Sequence, residues 1–379
     1  MNMYIVSEPL FENTEWYREI LSGIDSSANR KLLNPVFLDY RKFSDYFEKI
    51  KNDTNTVLIL GTSYAWIISV LRLVNQKSIY PMLISAGNIT FPAPHSIITQ
   101  SYSQSTFYLY NRFKDMGCKS IAFFGMNYDA GSDRMKLAGY TAALDDNERK
   151  TQDKRIFVNN ISASKAAEKF IKQKENFDAV ICTNDYIAVL LIKKLRAEFK
   201  SDKIPYKIAS FGKTIVLREF YPEIIRVTLD FFEAGVKTAD LYRYIVQNNS
   251  IISMTVTVKN KILIGGNEFK SKDERELKKY LPDLKNEKFE FYADKEIMEI
   301  NALEKLLRNM NDLDRDIFKA LSKGFTYEKT AEICNTGVTT VKYRLNRLRE
   351  LCGFGKNKSM TEIFKEYIPQ RRTDYEQQD

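Results

Sequence analysis

Short apolar runs alternate with amphipathic stretches from residue 3 to about residue 265. The runs at 3–7, 36–39, 56–61 and 80–85 read as strands, and the third (TVLILG) is nearly all apolar and ends in Gly61. Between them, 15–22, 43–50 and 65–74 have helical spacing. The pattern then restarts. Helices are predicted over 105–116, 134–144, 163–173 and 186–199, and strands over 120–124, 155–158, 178–182 and 207–211, with a last apolar run at 262–266. Strands this apolar are covered on both faces, which is the mark of parallel sheets flanked by helices. Two successive series predict an α/β fold of two doubly wound lobes with a ligand cleft at the carboxyl ends of their strands.

Beyond residue 266 the pattern changes. A Lys/Glu-rich stretch over 268–288 reads as a solvated, partly helical connector. Over 294–310, Ile297, Ile300, Leu303, Leu306, Leu307 and Met310 recur mostly at three- and four-residue steps. That stripe predicts a helix packed on its own chain or on a second copy, although the run is shorter than a coiled coil needs. Three short helices follow. The first, 313–322, presents Leu313, Ile317 and Leu321 and stops at Gly324; the second, 327–333, takes Thr326 as N-cap and buries Thr330 and Ala331. After a turn at 335–337, the third runs over 338–351 with Val341, Leu345 and Leu348 inward.

That third helix turns Thr339, Thr340, Lys342, Tyr343, Asn346, Arg347 and Arg349 largely outward. A polar, basic outer face suits insertion into the major groove of double-stranded DNA. Thr339, Thr340 and Lys342 sit where base edges are reached, and Arg344, Arg347 and Arg349 suit phosphates, which guanidinium grips in a fork. A small helical bundle for protein contacts is the other reading of the same pattern. The predicted organisation is a two-lobe ligand-sensing domain over 1–266, a charged connector and amphipathic linker helix over 267–311, a small all-α helix-turn-helix domain over 312–370, and a disordered tail over 371–379.

Composition narrows the function class. The 379 residues are 44% hydrophobic and 28% charged, with a formal charge of +9. Basic residues outnumber acidic ones on and after the third helix, so the excess is local. The four cysteines show no paired short spacing, which fits a reducing compartment and offers no metal site. The first residues, MNMYIVSEPL, lack a basic segment followed by an apolar one, and no apolar run approaches the roughly 20 residues needed to span a bilayer. The expectation is a cytoplasmic protein with no membrane contact. His95, the one histidine, lies in a Pro-rich segment that reads as a solvated loop. No local Ser/His/Asp or Cys/His set and no phosphate loop is present, so neither an enzyme nor a bound cofactor is expected.

Two resemblances sharpen this picture. Gly324, Ala331 and Thr340-Val341-Lys342 resemble the LuxR/FixJ-type helix-turn-helix over about 310–367, including a fourth helix at 361–367 that in the family often serves dimerisation. The family's Arg-Glu pair falls here on Leu313-Asp314, its usual Ile on Thr330 and its usual Ser on Gly337. Upstream, Gly117-Cys118 before Ile121–Gly125, Arg134 to Tyr140, Phe177 to Val180 with Asn184-Asp185, and Pro205 with Gly212 and 227–235 resemble the LacI/GalR-type sensor domain, a fold shared with periplasmic sugar-binding proteins. That resemblance implies ligand contacts at strand ends. Arg134 would hold hydroxyls or an anion, Asn184 would donate and accept, and Asp185 would touch ligand or cap the following helix. Tyr128 and Phe231 would stack on a ring or pack in the core. Thr214, Leu229, Ser101 and Leu190 stand where the family has Asp, a polar residue, an acid and Gly, which opens the effector to sugars or other metabolites. The whole implies a ligand-responsive transcription regulator acting as a homodimer on DNA, with a ligand-binding adaptor working through protein contacts as the alternative.

Overall fold

Two six-stranded sheets organise the first two thirds of the chain. The computed structural model describes residues 1–9, 14–85, 91–159, 162–248, 252–263, 294–352, 362 and 366–367. The connector at 268–288, most of the expected fourth helix and the tail at 371–379 lie outside the described residues.

The first sheet holds β1 (Asn2–Ser7), β2 (Asn34–Leu38), β3 (Thr56–Gly61), β4 (Tyr80–Ser85), β5 (Ser96–Gln100) and β11 (Thr255–Val258), in the order β11-β5-β4-β3-β1-β2 with every pairing parallel. The second holds β6 (Ile121–Met126), β7 (Ile156–Val158), β8 (Ala179–Cys182), β9 (Lys207–Phe211), β10 (Ile225–Thr228) and β12 (Lys261–Leu263), in the order β12-β10-β9-β8-β6-β7. Only β12 runs antiparallel there. The central strands β1, β3, β6 and β8 are buried almost throughout, as expected of strands covered by helices on both faces. Helices α1 (Glu15–Lys31), α2 (Phe47–Asn52), α3 (Tyr64–Gln76) and α10 (Phe231–Gln247) cover the first sheet. The second is covered by α4 (Tyr102–Asp115), α5 (Gly131–Ala143), α6 (Asp146–Lys150), α7 (Ala163–Ile171), α8 (Asp185–Phe199) and α9 (Ile215–Phe220). The chain crosses between lobes after β5, after β10 and between β11 and β12.

The two-lobed parallel architecture is as predicted, but several elements differ. Helix α1 runs on to Lys31, beyond the 15–22 stretch that opens it, through Gly23, Ser26 and Ser27, which are weak helix formers. Packing overrides propensity there. A Cβ on Gly23 would lie 2.0 Å from the Phe232 carbonyl oxygen, and one on Gly235 would lie 2.1 Å from that of Ile20. The α1 and α10 backbones therefore touch, which only glycine permits. The stretch expected as one helix over 43–50 is a 3-10 segment, Tyr40–Tyr46, running into α2. Strands β5, β10 and β11 were not foreseen as strands.

Downstream lie α11 (Lys295–Asn309), α12 (Asp312–Ser322), α13 (Tyr327–Ile333) and α14 (Val338–Cys352). The stripe on α11 packs on its own chain: Ile297, Ile300, Leu303, Leu306, Leu307 and Met310 are all buried. They belong to one continuous apolar cluster that runs from Phe124, Val180 and Leu191 in the second lobe to Ile317, Val341 and Leu348 in the three-helix unit. Gly324 takes the left-handed conformation (φ 87°) that ends α12.

Candidate functional site

Two surfaces collect the chemistry. One is the mouth between the lobes at the carboxyl ends of β1, β3, β6 and β8; the other is the outer face of α14.

At the mouth, the turn after β3 is held by Glu8, whose buried carboxylate accepts from the backbone N–H groups of Thr62 (2.9 Å) and Ser63 (3.1 Å). Ser63 forms an isolated antiparallel bridge to Ala130 of the second lobe. Just beyond, the Arg134 guanidinium lies 5.2 Å over the ring of Tyr64 and donates to the Tyr128 carbonyl oxygen. Arg134 and Tyr128 are thus brought together at the rim, with Arg134 half-buried and Tyr128 46% exposed. Asn184 and Asp185 divide their work differently from expectation. Asn184 caps α8, its side chain accepting from Ile187 N–H at 3.0 Å. Asp185 is buried and accepts from Ser210 Oγ (2.6 Å), Thr214 N–H (2.8 Å) and Thr214 Oγ1 (3.0 Å). Burial pushes its carboxyl up, and these hydrogen bonds pull it back. A Cβ on Gly212 (φ 147°) would come 2.5 Å from Asp185 Oδ2, so this pin requires glycine. Phe231 packs against Trp16, ring centroids 6.3 Å apart, on the first-lobe side.

Sequence reasoning missed a second pair. Asp133 and Lys136 on α5 are buried, and Lys136 Nζ donates to Asp133 Oδ1 (3.0 Å) and the Thr183 carbonyl oxygen (2.7 Å). The ammonium also sits about 5 Å from the rings of Tyr102 and Phe211. In sequence, an Asp and a Lys three apart read as a solvated face; the first turn of α5 sits instead at the strand ends, where both are covered.

On α14, Thr339, Lys342, Tyr343, Asn346, Arg347 and Arg349 are exposed and Thr340 is half-buried. Val341, Leu345, Leu348 and Cys352 are buried beneath them. Lys342 Nζ lies 5.8 Å over the Tyr327 ring of α13. Arg344 is separate from this face. Its guanidinium donates to Asn311 Oδ1 (3.2 Å) and Asp314 Oδ1 (2.9 Å), which also form the capping box of α12. No helix among the described residues is long and apolar enough to cross a membrane, and no group of His, Cys, Asp and Glu among them could hold a metal ion.

Residues 5–243 match the family model of periplasmic binding proteins and the sugar-binding domain of the LacI family. Solved structures share the fold at low identity. A "transcriptional regulator CelR-cellobiose complex" superposes with a TM-score of 0.56 at 13% identity, covering 70% of this chain and 84% of that one. The transcription regulator CcpA of Lactococcus lactis gives 0.55 at 15%, covering 71% and 100%. A LacI family transcriptional regulator from Enterococcus faecium with bound ribose gives 0.52 at 13%, covering 70% and 99%. No curated protein matches the chain.

Proposed function

The chain belongs to the family of periplasmic binding proteins and LacI-type sugar-binding domains, and from that premise we propose that it is a ligand-responsive transcription regulator. A small molecule is held between the lobes, and double-stranded DNA is bound by α12–α14 acting as a helix-turn-helix. The family binds ligands rather than transforming them, so the protein is not an enzyme.

The observation that carries the reading is the exposed row Thr339, Lys342, Tyr343, Asn346 and Arg347 on a helix whose opposite stripe is buried. Such a face offers donors to base edges and phosphates together. The neighbours include regulators, one bound to cellobiose and one to ribose, which supports a sugar as the effector. Arg134, Tyr128 and Asn184 at the strand ends are the proposed ligand contacts, with Phe231 at the first-lobe side. Asp185 positions the turn after β9 from below. Two copies acting as a homodimer in the cytoplasm complete the reading. A ligand-binding adaptor without DNA contact is less favoured, because it leaves the basic face without a task.

A panel of mono- and disaccharides tests this. The account expects one sugar to raise Tm, to do so less in Arg134→Ala, and to change retardation of a duplex from upstream of the protein's own gene. A sugar that raises Tm equally in both proteins removes Arg134 from the site. Failure of every sugar to raise Tm removes sugars as the effector class.

A further inference from the structure

The linker helix α11 is held differently at its two ends. Its first turns are tied to the second lobe and to Tyr367, whose hydroxyl donates to Glu299 Oε2 (3.0 Å). Asp294 Oδ2 accepts from Ser162 Oγ (2.8 Å), Glu296 pairs with Lys193 (3.3 Å) and Lys194 (3.2 Å), and Glu299 lies 3.7 Å from Lys193. Its last turns reach both lobes. Glu304, buried, accepts from Ile215 N–H (3.0 Å) and Val216 N–H (3.3 Å) at the start of α9 in the second lobe. One turn on, Arg308 pairs with Glu304 (3.0 Å) and with Glu15 (2.8 Å) at the start of α1 in the first lobe. The same Glu15 lies 3.7 Å from Lys213 of the second lobe, and Lys213 also pairs with Glu19 of the first.

Glu15, Glu19, Lys213, Glu304 and Arg308 therefore form one chain of alternating charge that joins lobe, lobe and linker. Arg308 lies three residues before the Asn311 cap of α12, and on α12 Arg315 pairs with Glu219 of α9.

We propose that this chain is an interlobe latch: Arg308 on Glu15 makes the end of the linker helix report whether the lobes are closed. Separating the lobes moves Glu15 and Glu19 away from Lys213 and Arg308, while Glu296 and Glu299 stay with the second lobe. The change is thereby confined to the turns that lead into the DNA-facing unit. A continuous element biased at one end by two alternative contacts is how a closure is transmitted. The inference deepens the regulator reading by naming the residues that carry its signal.

Arg308 variants leave the buried Glu304 carboxylate without its cation and risk unfolding. The test therefore uses the partly exposed Glu15. Hydrogen exchange is followed on the full chain, free of DNA and effector, in wild type, Glu15→Lys and the surface control Glu48→Lys. The latch predicts exchange about tenfold faster over 303–322 in Glu15→Lys. It also predicts unchanged exchange over 295–302 and no change in the control. Exchange that rises only within α1, rises evenly along α11 or does not rise overturns it. Because no DNA enters this measurement, failure to bind DNA would sink the regulator reading and still leave the latch decided.

Discussion

Arg344 and Arg347 are neighbours on α14 but have different tasks. Arg347 is exposed on the outer face, whereas Arg344 folds back onto Asp314, whose side chain is 2% exposed. Removing Arg344 strands a buried carboxylate, so Arg344→Ala should cost about 2 kcal/mol of stability. Thermal unfolding of the variant checks this, and an unchanged Tm would return Arg344 to the phosphate-facing set. The sequence made all three arginines equivalent, because periodicity separates inner from outer faces but says nothing of a partner thirty residues away. The same limit applies to Asn184-Asp185. Both read as polar residues at a strand end, and only the approach of Ser210 and Thr214 from the next strand and its turn shows which is buried. Lys136 was overlooked for the converse reason: its charge marked it as solvated until three-dimensional packing covered it.

Among the elements, the pair α1 and α10 shows where propensity fails. Gly23 breaks the helical pattern in sequence, yet in the fold it sits against the Phe232 carbonyl and lets α1 run on to Lys31. Gly23→Ala would force the helices apart despite alanine's better helix propensity, at an overpacking cost of about 2 kcal/mol. The expected outcome is a lower Tm, and a higher one would show that propensity governs this helix. The strands that were legible are those with unbroken apolar runs, such as TVLILG. The hidden ones carry polar residues: β10 holds Arg226 and β11 reads TVTV. Helix α11 was legible as amphipathic but not in its partner, since one apolar stripe serves equally for a second copy or for the chain's own core.

Over the whole molecule, the continuous apolar cluster from the second lobe through α11 to the three-helix unit means that this unit is not a bead on a string. Ion pairs set at the end of α11 act on a helix whose apolar face is shared by the second lobe and the three-helix unit, so loosening them is felt at the joint between the two. Two lobes and a three-helix unit could be read from the alternation of apolar runs. Their shared core could not, because contacts this distant in sequence leave no local pattern.

The central claim is that α14 reads DNA, and the salt dependence of binding tests it most directly. The full chain is titrated onto duplex DNA from upstream of its own gene at several salt concentrations, in wild type and in Lys342→Ala/Arg347→Ala. The account predicts weaker binding by the double variant and a log–log salt slope shallower by about two, one per lost phosphate contact. Identical affinity and slope in the two proteins would contradict it.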